Sequence, residues 1–243
     1  RSILTIAGVT IGIAAIIFLV SLGYGLEQLV TNQIANFDAF TIIDATTANP
    51  RLIQINQAAF DKISENGHIA KIGYVANLAG RIKKGDNEST AETVVMAAGN
   101  DYWQLAEIKP NAGKLPANNQ EIALNISIIK LIGEEPESII GKTITLNLII
   151  PADLRINPND GILTTPDIDL KVSGVINGDQ SPVAYIDASL ISGFKTDKFS
   201  ALKIKVDQKD KQVVAETRSF LENMGYNTEY VGDTINEINQ VYN

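Results

Sequence analysis

Between Ser2 and Leu26 the chain carries no charged residue, and the remainder of the sequence has to be compatible with that stretch. As an α-helix rising about 1.5 Å per residue it would reach about 37 Å. The hydrocarbon core of a bilayer is ~30 Å thick. Ile11 to Val20 is almost continuously aliphatic and closes with Ile16, Ile17, Phe18, Leu19 and Val20. Every face is apolar, which suits lipid better than a soluble core. A cleaved signal peptide needs a shorter apolar run and small residues at its cleavage site. Ser21-Leu22-Gly23-Tyr24-Gly25 offers no Ala-x-Ala pattern. Residues 1–26 therefore read as a transmembrane helix. Arg1 before it, with Glu27 and Asp38 after it, places the N-terminus in the cytoplasm and the bulk of the chain outside the cell (inner) membrane. The sequence does not open with Met, so more chain is expected upstream.

Gly8 and Gly12, with Ala15 a turn further on, line one helix face with small residues. Such spacing lets a second membrane helix approach closely, yet glycine is also common in ordinary anchors. Both readings stand. Helical periodicity continues past the span: Leu22, Leu26, Leu29, Val30, Ile34 and Phe37 recur on one side. Residues 27–37 are thus expected to form a stalk helix above the bilayer. Its expected partner is the last segment, 233–243, where Asp233 can cap a helix bearing Ile235, Ile238 and Tyr242.

Between these ends the pattern is α+β. Phe40–Asp44 reads as a strand, and Asn56 can cap a short helix carrying Ala59, Phe60 and Ile63. Residues 68–84 and 90–97 read as strands about the turn Gly85-Asp86-Asn87-Glu88. A short helix is expected near Asp101–Ala106. Further strands are expected over Lys142–Ile150, Leu170–Ile176, Val183–Ile186 and Leu202–Val206. Pro151–Pro166, rich in Asn, Asp, Gly and Pro, reads as an exposed excursion. A helix follows in which Val213, Val214, Thr217, Phe220, Leu221 and Met224 share a face and Gly225 supplies the stop. A short strand near Thr228–Val231 completes the body.

Several stretches, in this order, resemble the MacB/FtsX-like permease family of ABC transporters, including its lipoprotein-releasing members. Arg1-Ser2-Ile3-Leu4-Thr5 with Gly8 and Gly12 is similar to the start of the family's first membrane helix. Leu22-Gly23-Tyr24-Gly25-Leu26 is similar to its exit from the bilayer. The resemblance continues through Ala98-Gly99-Asn100-Asp101-Tyr102-Trp103, Asn111-Ala112-Gly113-Lys114-Leu115, Glu121–Asn125, Ile140–Ile144 and Val172–Ile176. Lys114 stands where the family usually has Arg. The resemblance implies a porter-like mixed α/β subdomain (38–97 and 200–232) with an inserted, mainly β, sabre-like subdomain (98–199). It also implies a cytoplasmic ABC ATPase, separate or fused, a second permease copy in a homo- or heterodimer, and the lipid bilayer as partners. An extracytoplasmic adaptor is a further possible partner. ATP-driven closure would pass up the stalk to the head, which is mechanotransmission, and an amphiphilic substrate would be exported or extracted.

The residues argue against chemistry on this chain. There is no cysteine and a single histidine, His68, so thiol nucleophiles, histidine triads and multi-histidine metal sites are excluded. Gly141-Lys142-Thr143 lacks the earlier glycine of a phosphate loop, since Pro136 stands there, and a strand pattern follows where a helix is needed. Asn157, Asn159, Asp160 and Gly161 miss the phase of a calcium loop. Glu134, Glu135 and Glu137 about Pro136 read as a solvated acidic turn. A net charge of −8 opposes nucleic-acid binding. The expectation is a non-enzymatic transport component without cofactor; the alternative is a singly anchored extracytoplasmic binding or sensor module.

Overall fold

The computed structural model describes residues 8, 10, 12–22, 39–84, 90–178, 180–207 and 210–233. The chain divides into two compact units, Arg1–Ala39 and Phe40–Asn243. In the first, residues 12–22 form helix α1, and residues 8 and 10 are helical too. Ile16, Ile17, Phe18 and Leu19 are 61–64% exposed. Among the described residues no helix is long and apolar enough to cross a membrane. The rest of the expected span 1–26 lies outside the described residues. So do the expected stalk positions Leu26, Leu29, Val30, Ile34, Phe37, Ile235, Ile238 and Tyr242. Gly8, Gly12 and Ala15 are helical and exposed, and a Cβ on either glycine would meet nothing within 4 Å.

The second unit opens with a 3-10 turn at Ala39–Thr41, which delays strand β1 to Ile42–Thr46 instead of the expected Phe40. Next come β2 (Ile55–Asn56), helix α2 (Gln57–Ser64), β3 (Ile69–Lys83), β4 (Thr90–Ala98), α3 (Asn100–Leu105), β5 (Pro110–Gly113) and β6 (Glu121–Asn125). They are followed by α4 (Ile126–Leu131), β7 (Thr143–Ile150), β8 (Leu163–Thr164), β9 (Ile168–Ile176) and β10 (Val183–Asp187). Last are α5 (Ser189–Ser192), β11 (Lys198–Phe199), β12 (Ala201–Val206), α6 (Lys211–Asn223) and β13 (Asn227–Tyr230).

β3 organises two assemblies. Residues 69–75 pair antiparallel with β12, which pairs with β1, which pairs with β13. This open sheet places Ile43, Ala45, Leu202, Ile204 and Val206 on one face, where Ile63 of α2 and Val214 and Leu221 of α6 close the core. The alternate residues Asp44 and Lys203 project from the other face and form an ion pair at 2.6 Å. Strict in–out alternation made this sheet readable.

Residues 75–83 of β3 pair with β4 on one edge, and residues 79–83 pair with β7 on the other. The order β3–β4–β10–β6–β9–β7 then returns to β3, so these strands close on themselves as a small barrel. Closure leaves those paired edges without free backbone groups. The interior is aliphatic: Ile82, Val95, Ile122, Leu124, Ile144, Leu146, Leu148, Leu170, Val172 and Ile186 are all at most 1% exposed.

Local chemistry sets the helix limits. Asn56 accepts the Ala59 N–H at 3.0 Å and starts α2 where expected. Asp210 caps α6 by accepting from Gln212 N–H at 2.9 Å, and Gly225, at φ +92°, lets the chain turn out of that helix. Asp233 does not act as the expected cap, because residues 231–233 are already helical and its carboxylate is engaged by Arg218. Helix α4 was not foreseen. It begins because Asn125, 3% exposed, accepts from Ile128 N–H at 3.1 Å and Val183 N–H at 3.2 Å and donates to the Ser181 carbonyl at 2.6 Å. The excursion at 151–166 is also less exposed than expected, since Leu154 and Thr165 are 4% and 3% exposed.

Asn125 thus satisfies a cap and the approach to β10 with one amide. Asn125→Ala should lower unfolding free energy by about 2–4 kcal/mol, because it strands the buried Ile128 N–H and the half-buried Val183 N–H as well as removing a cap. Urea denaturation of the wild type and the variant measures this directly.

Candidate functional site

The stretches that carry the family resemblance lie far apart in sequence and meet in the fold. Ala98–Trp103 forms the end of β4 and most of α3, whose Trp103 and Tyr102 are 1% and 8% exposed. Trp103 meets the Tyr185 ring edge-on at 5.8 Å, and both belong to a third core with Val75, Ala98, Ala123 and Ile176. This core lies where the open sheet and the barrel share β3. A Cβ on Gly73 would fall 2.5 Å from the Tyr102 Cα, so α3 rests directly on the β3 backbone there. Trp103 is a packing residue, too buried to touch a substrate.

A second convergence centres on β9. The Lys114 N–H donates to the Ser173 carbonyl at 2.9 Å, and the Ser173 hydroxyl donates to the Lys114 carbonyl at 3.1 Å. Gly113, at φ +72°, and Gly174 sit at this crossing because a Cβ on either would collide with the other strand's backbone. Gly141 N–H donates to the Val172 carbonyl at 2.8 Å, joining the 140–144 stretch to the same strand. Lys114 pairs with Glu121 at 2.7 Å, and this hydrogen bond leads the causes that lower the Glu121 carboxyl pKa.

Glu134 corrects an expectation. It is not part of a solvated acidic turn: its side chain is 6% exposed and held by Lys142 at 2.8 Å and by Lys84. The hydrogen bonds from Lys142 and then Lys84 lower its pKa from 4.5 to about 2. Lys142 is thereby committed to Glu134, and β7 follows it, so the 141–143 stretch has neither the free lysine nor the helix of a phosphate loop. His68 is half-exposed, 4.0 Å from Asp207. Asp160 is bound by Asn157 at 2.9 Å and faces Arg155 at 3.5 Å. Among the described residues no cluster of three metal-ligating side chains occurs.

One polar assembly engages Phe40 and Asp233, the first and last described residues of the second unit. Arg218 of α6 donates through Nε to the Thr228 hydroxyl at 3.1 Å, and its terminal nitrogen meets the Asp233 carboxylate at 2.8 Å. Its guanidinium lies 5.9 Å from the centre of the Tyr230 ring. The Tyr230 hydroxyl in turn donates to the Phe40 carbonyl at 3.1 Å. Burial first, then the Asp233 charge, raises the Tyr230 pKa. Phe40, Val214, Arg218, Tyr230 and Asp233 help line a pocket of about 210 Å³. The first and last described residues of the unit are therefore held by one helix and one strand. Sequence reasoning missed this clasp, since no spacing rule links Phe40 to Tyr230 or Arg218 to Asp233.

The family model for the MacB-like periplasmic core domain matches residues 2–220. No curated protein matches the sequence. The periplasmic region of MacB from Actinobacillus actinomycetemcomitans is similar in fold, with a TM-score of 0.59 at 17% identity over 85% of this chain and 96% of that one. The extracellular domain of the noncanonic ABC-type transporter YknZ from Gram-positive bacteria is similar too, with a TM-score of 0.55 at 11% identity over 77% of this chain and 99% of that one.

The Glu134 cluster makes acid stability testable. A carboxylate whose folded pKa is depressed contributes stability that is present above its unfolded value and lost as pH falls through the folded one. The relevant window is pH 4.5 down to about 2. Glu134→Gln should flatten the fall of melting temperature across that window while leaving the slope above pH 5 unchanged.

Proposed function

This chain belongs to the MacB-like periplasmic core domain family, and on that premise we propose that it is the extracytoplasmic head and first membrane helix of an ABC transporter permease. It hydrolyses nothing itself. A cytoplasmic ABC ATPase supplies the energy, and a second permease copy and the lipid bilayer complete the working unit. Conformational change is passed through the stalk into the head, which moves an amphiphilic substrate away from the membrane. The fully apolar opening stretch supports the anchor, and the fold likeness supports an extracytoplasmic head.

The observation that carries this reading is the Arg218–Asp233 and Tyr230–Phe40 clasp. Phe40 follows the segment expected to rise from the bilayer, and Asp233 precedes the segment expected to return to it. A tilt of either segment pulls on α6 and β13. From there β1 and β12 carry it into β3, which is about 50 Å long at ~3.3 Å per residue. Rigid elements with packed interfaces transmit such displacements because they do not deform continuously.

Spin labels placed at Glu65→Cys in the two permease copies, with the full-length protein and its ATPase in nanodiscs, test this. Their separation should change when nucleotide is trapped. In Arg218→Gln, ATP hydrolysis should persist while coupling between nucleotide state and head position weakens roughly fivefold or more. An unchanged separation in the wild type would sink the reading, as would failure of the chain to associate with any ATPase.

A further inference from the structure

A group of buried donors lies away from the clasp and from the signature stretches. Arg155 in the excursion after β7 forms an antiparallel bridge with Thr196, just before β11. Directly opposed residues of such a bridge share a face. Thr196 and Lys198 are buried while Asp197 between them is exposed, so strand alternation puts Lys198 on that face as well. Lys198 is 4% exposed, and its ammonium donates to the carbonyls of Arg155 at 2.9 Å and Ile156 at 3.4 Å. Among the described residues no carboxylate pairs with it. The Arg155 side chain is 12% exposed; its terminal nitrogen donates to the carbonyls of Asp160 at 3.0 Å and Gly161 at 3.2 Å, and its one carboxylate partner is Asp160 at 3.5 Å. Among the described residues, neither its buried Nε–H nor the buried Thr196 hydroxyl has a hydrogen-bond partner.

The charges do not balance: among the described residues two cations face one carboxylate, leaving a single positive charge in surplus. Burying an unpaired ammonium is costly, as is burying polar hydrogens with no acceptor. One monovalent acceptor answers both deficits. A water molecule accepts hydrogen bonds but leaves the charge, whereas a phosphate or sulfate brings excess charge and needs more access than side chains 4%, 8% and 12% exposed provide.

We propose that Arg155 Nε, Thr196 Oγ1 and Lys198 Nζ form a binding site for one halide-sized anion, chloride under physiological conditions. The anion ties two parts of the head together. The excursion is the continuation of barrel strand β7, while β11 pairs with β2 at the start of α2. Phe199, beside Lys198, packs against both the barrel core and the open-sheet core. An occupied site makes the excursion a brace between barrel and open sheet. This inference does not depend on the transport reading.

The test is thermal unfolding of the purified full-length chain in sodium chloride and in sodium gluconate at matched ionic strength. Melting temperature should begin to rise near the dissociation constant for chloride and then climb logarithmically, by roughly 3–5 °C for each further tenfold increase. Thr196→Val should weaken that response. Lys198→Met should abolish it and melt in gluconate about as high as the wild type does in chloride, because the surplus charge is gone. Anomalous diffraction from bromide-soaked crystals should place a peak against Lys198 and Thr196. Superimposed melting curves in the two salts, a chloride response retained in both variants, or water at that position in the bromide data would each overturn the proposal. Should Lys198→Met fail to fold, Thr196→Val and the bromide data still decide it.

Discussion

The second unit depends on one strand being shared. β3 pairs through its first half with the open sheet and through its second half with both neighbours of the barrel. Without that continuity the barrel would be a separate domain joined by linkers. With it, backbone hydrogen bonds run unbroken from β13 at the clasp to β8 beyond the far side of the barrel. The consequence is mechanical. Linked bodies can move independently, whereas bodies built on one strand share its orientation.

A shared strand alone would still allow bending, and α3 limits that. Its Tyr102 and Trp103 fill the third core at the point where β3 changes partners, and Gly73 lets the helix sit against the strand backbone. Burial first, then the nearby Asp44 charge, pushes the Tyr102 phenol up to about 12, which keeps it neutral across physiological pH. Two glycines of the resemblance allow a similar approach elsewhere. Gly113 and Gly174 permit the close crossing of β5 and β9, and the residues around them are backbone partners in place of reacting groups. At Tyr102, Trp103, Gly113 and Gly174 the resemblance therefore falls on close approaches that fix one element against another.

The charged clusters divide by environment. Arg218 is partly exposed, so each of its contacts is individually modest. Its value lies in engaging Thr228, Asp233 and the Tyr230 ring together, so that ordering one partner orders the rest. Glu134 is ion-paired to a lysine on each side and staples the end of β3 to the start of β7. Lys198 and Arg155 differ in kind, because their surroundings supply carbonyls and leave charge in excess.

Much of the architecture could be read from the chain. Alternation at Leu202–Val206 revealed the central antiparallel strand, and helical periodicity at 213–224 with Gly225 revealed α6, since both patterns report which side chains one element must bury. Asn56 announced α2 through its capping oxygen. Asn125 does the same for α4, but its partners Val183 and Ser181 lie more than fifty residues away and gave no local signal. Glu134 read as solvated because its sequence neighbours are acidic. The lysines that hold it stand just after β3 and just before β7.

The sequence by itself determined the apolar opening stretch, most strands, the capped helices and the absence of thiol or multi-histidine chemistry. Each of these follows from residue type and short-range spacing. Only the tertiary structure decided that β3 serves two assemblies, that six strands close into a barrel, that Arg218 and Tyr230 hold Asp233 and Phe40, and that Lys198 meets Arg155. Those facts depend on pairing between residues distant in the chain, and periodicity carries no information about which strand or charge will lie opposite.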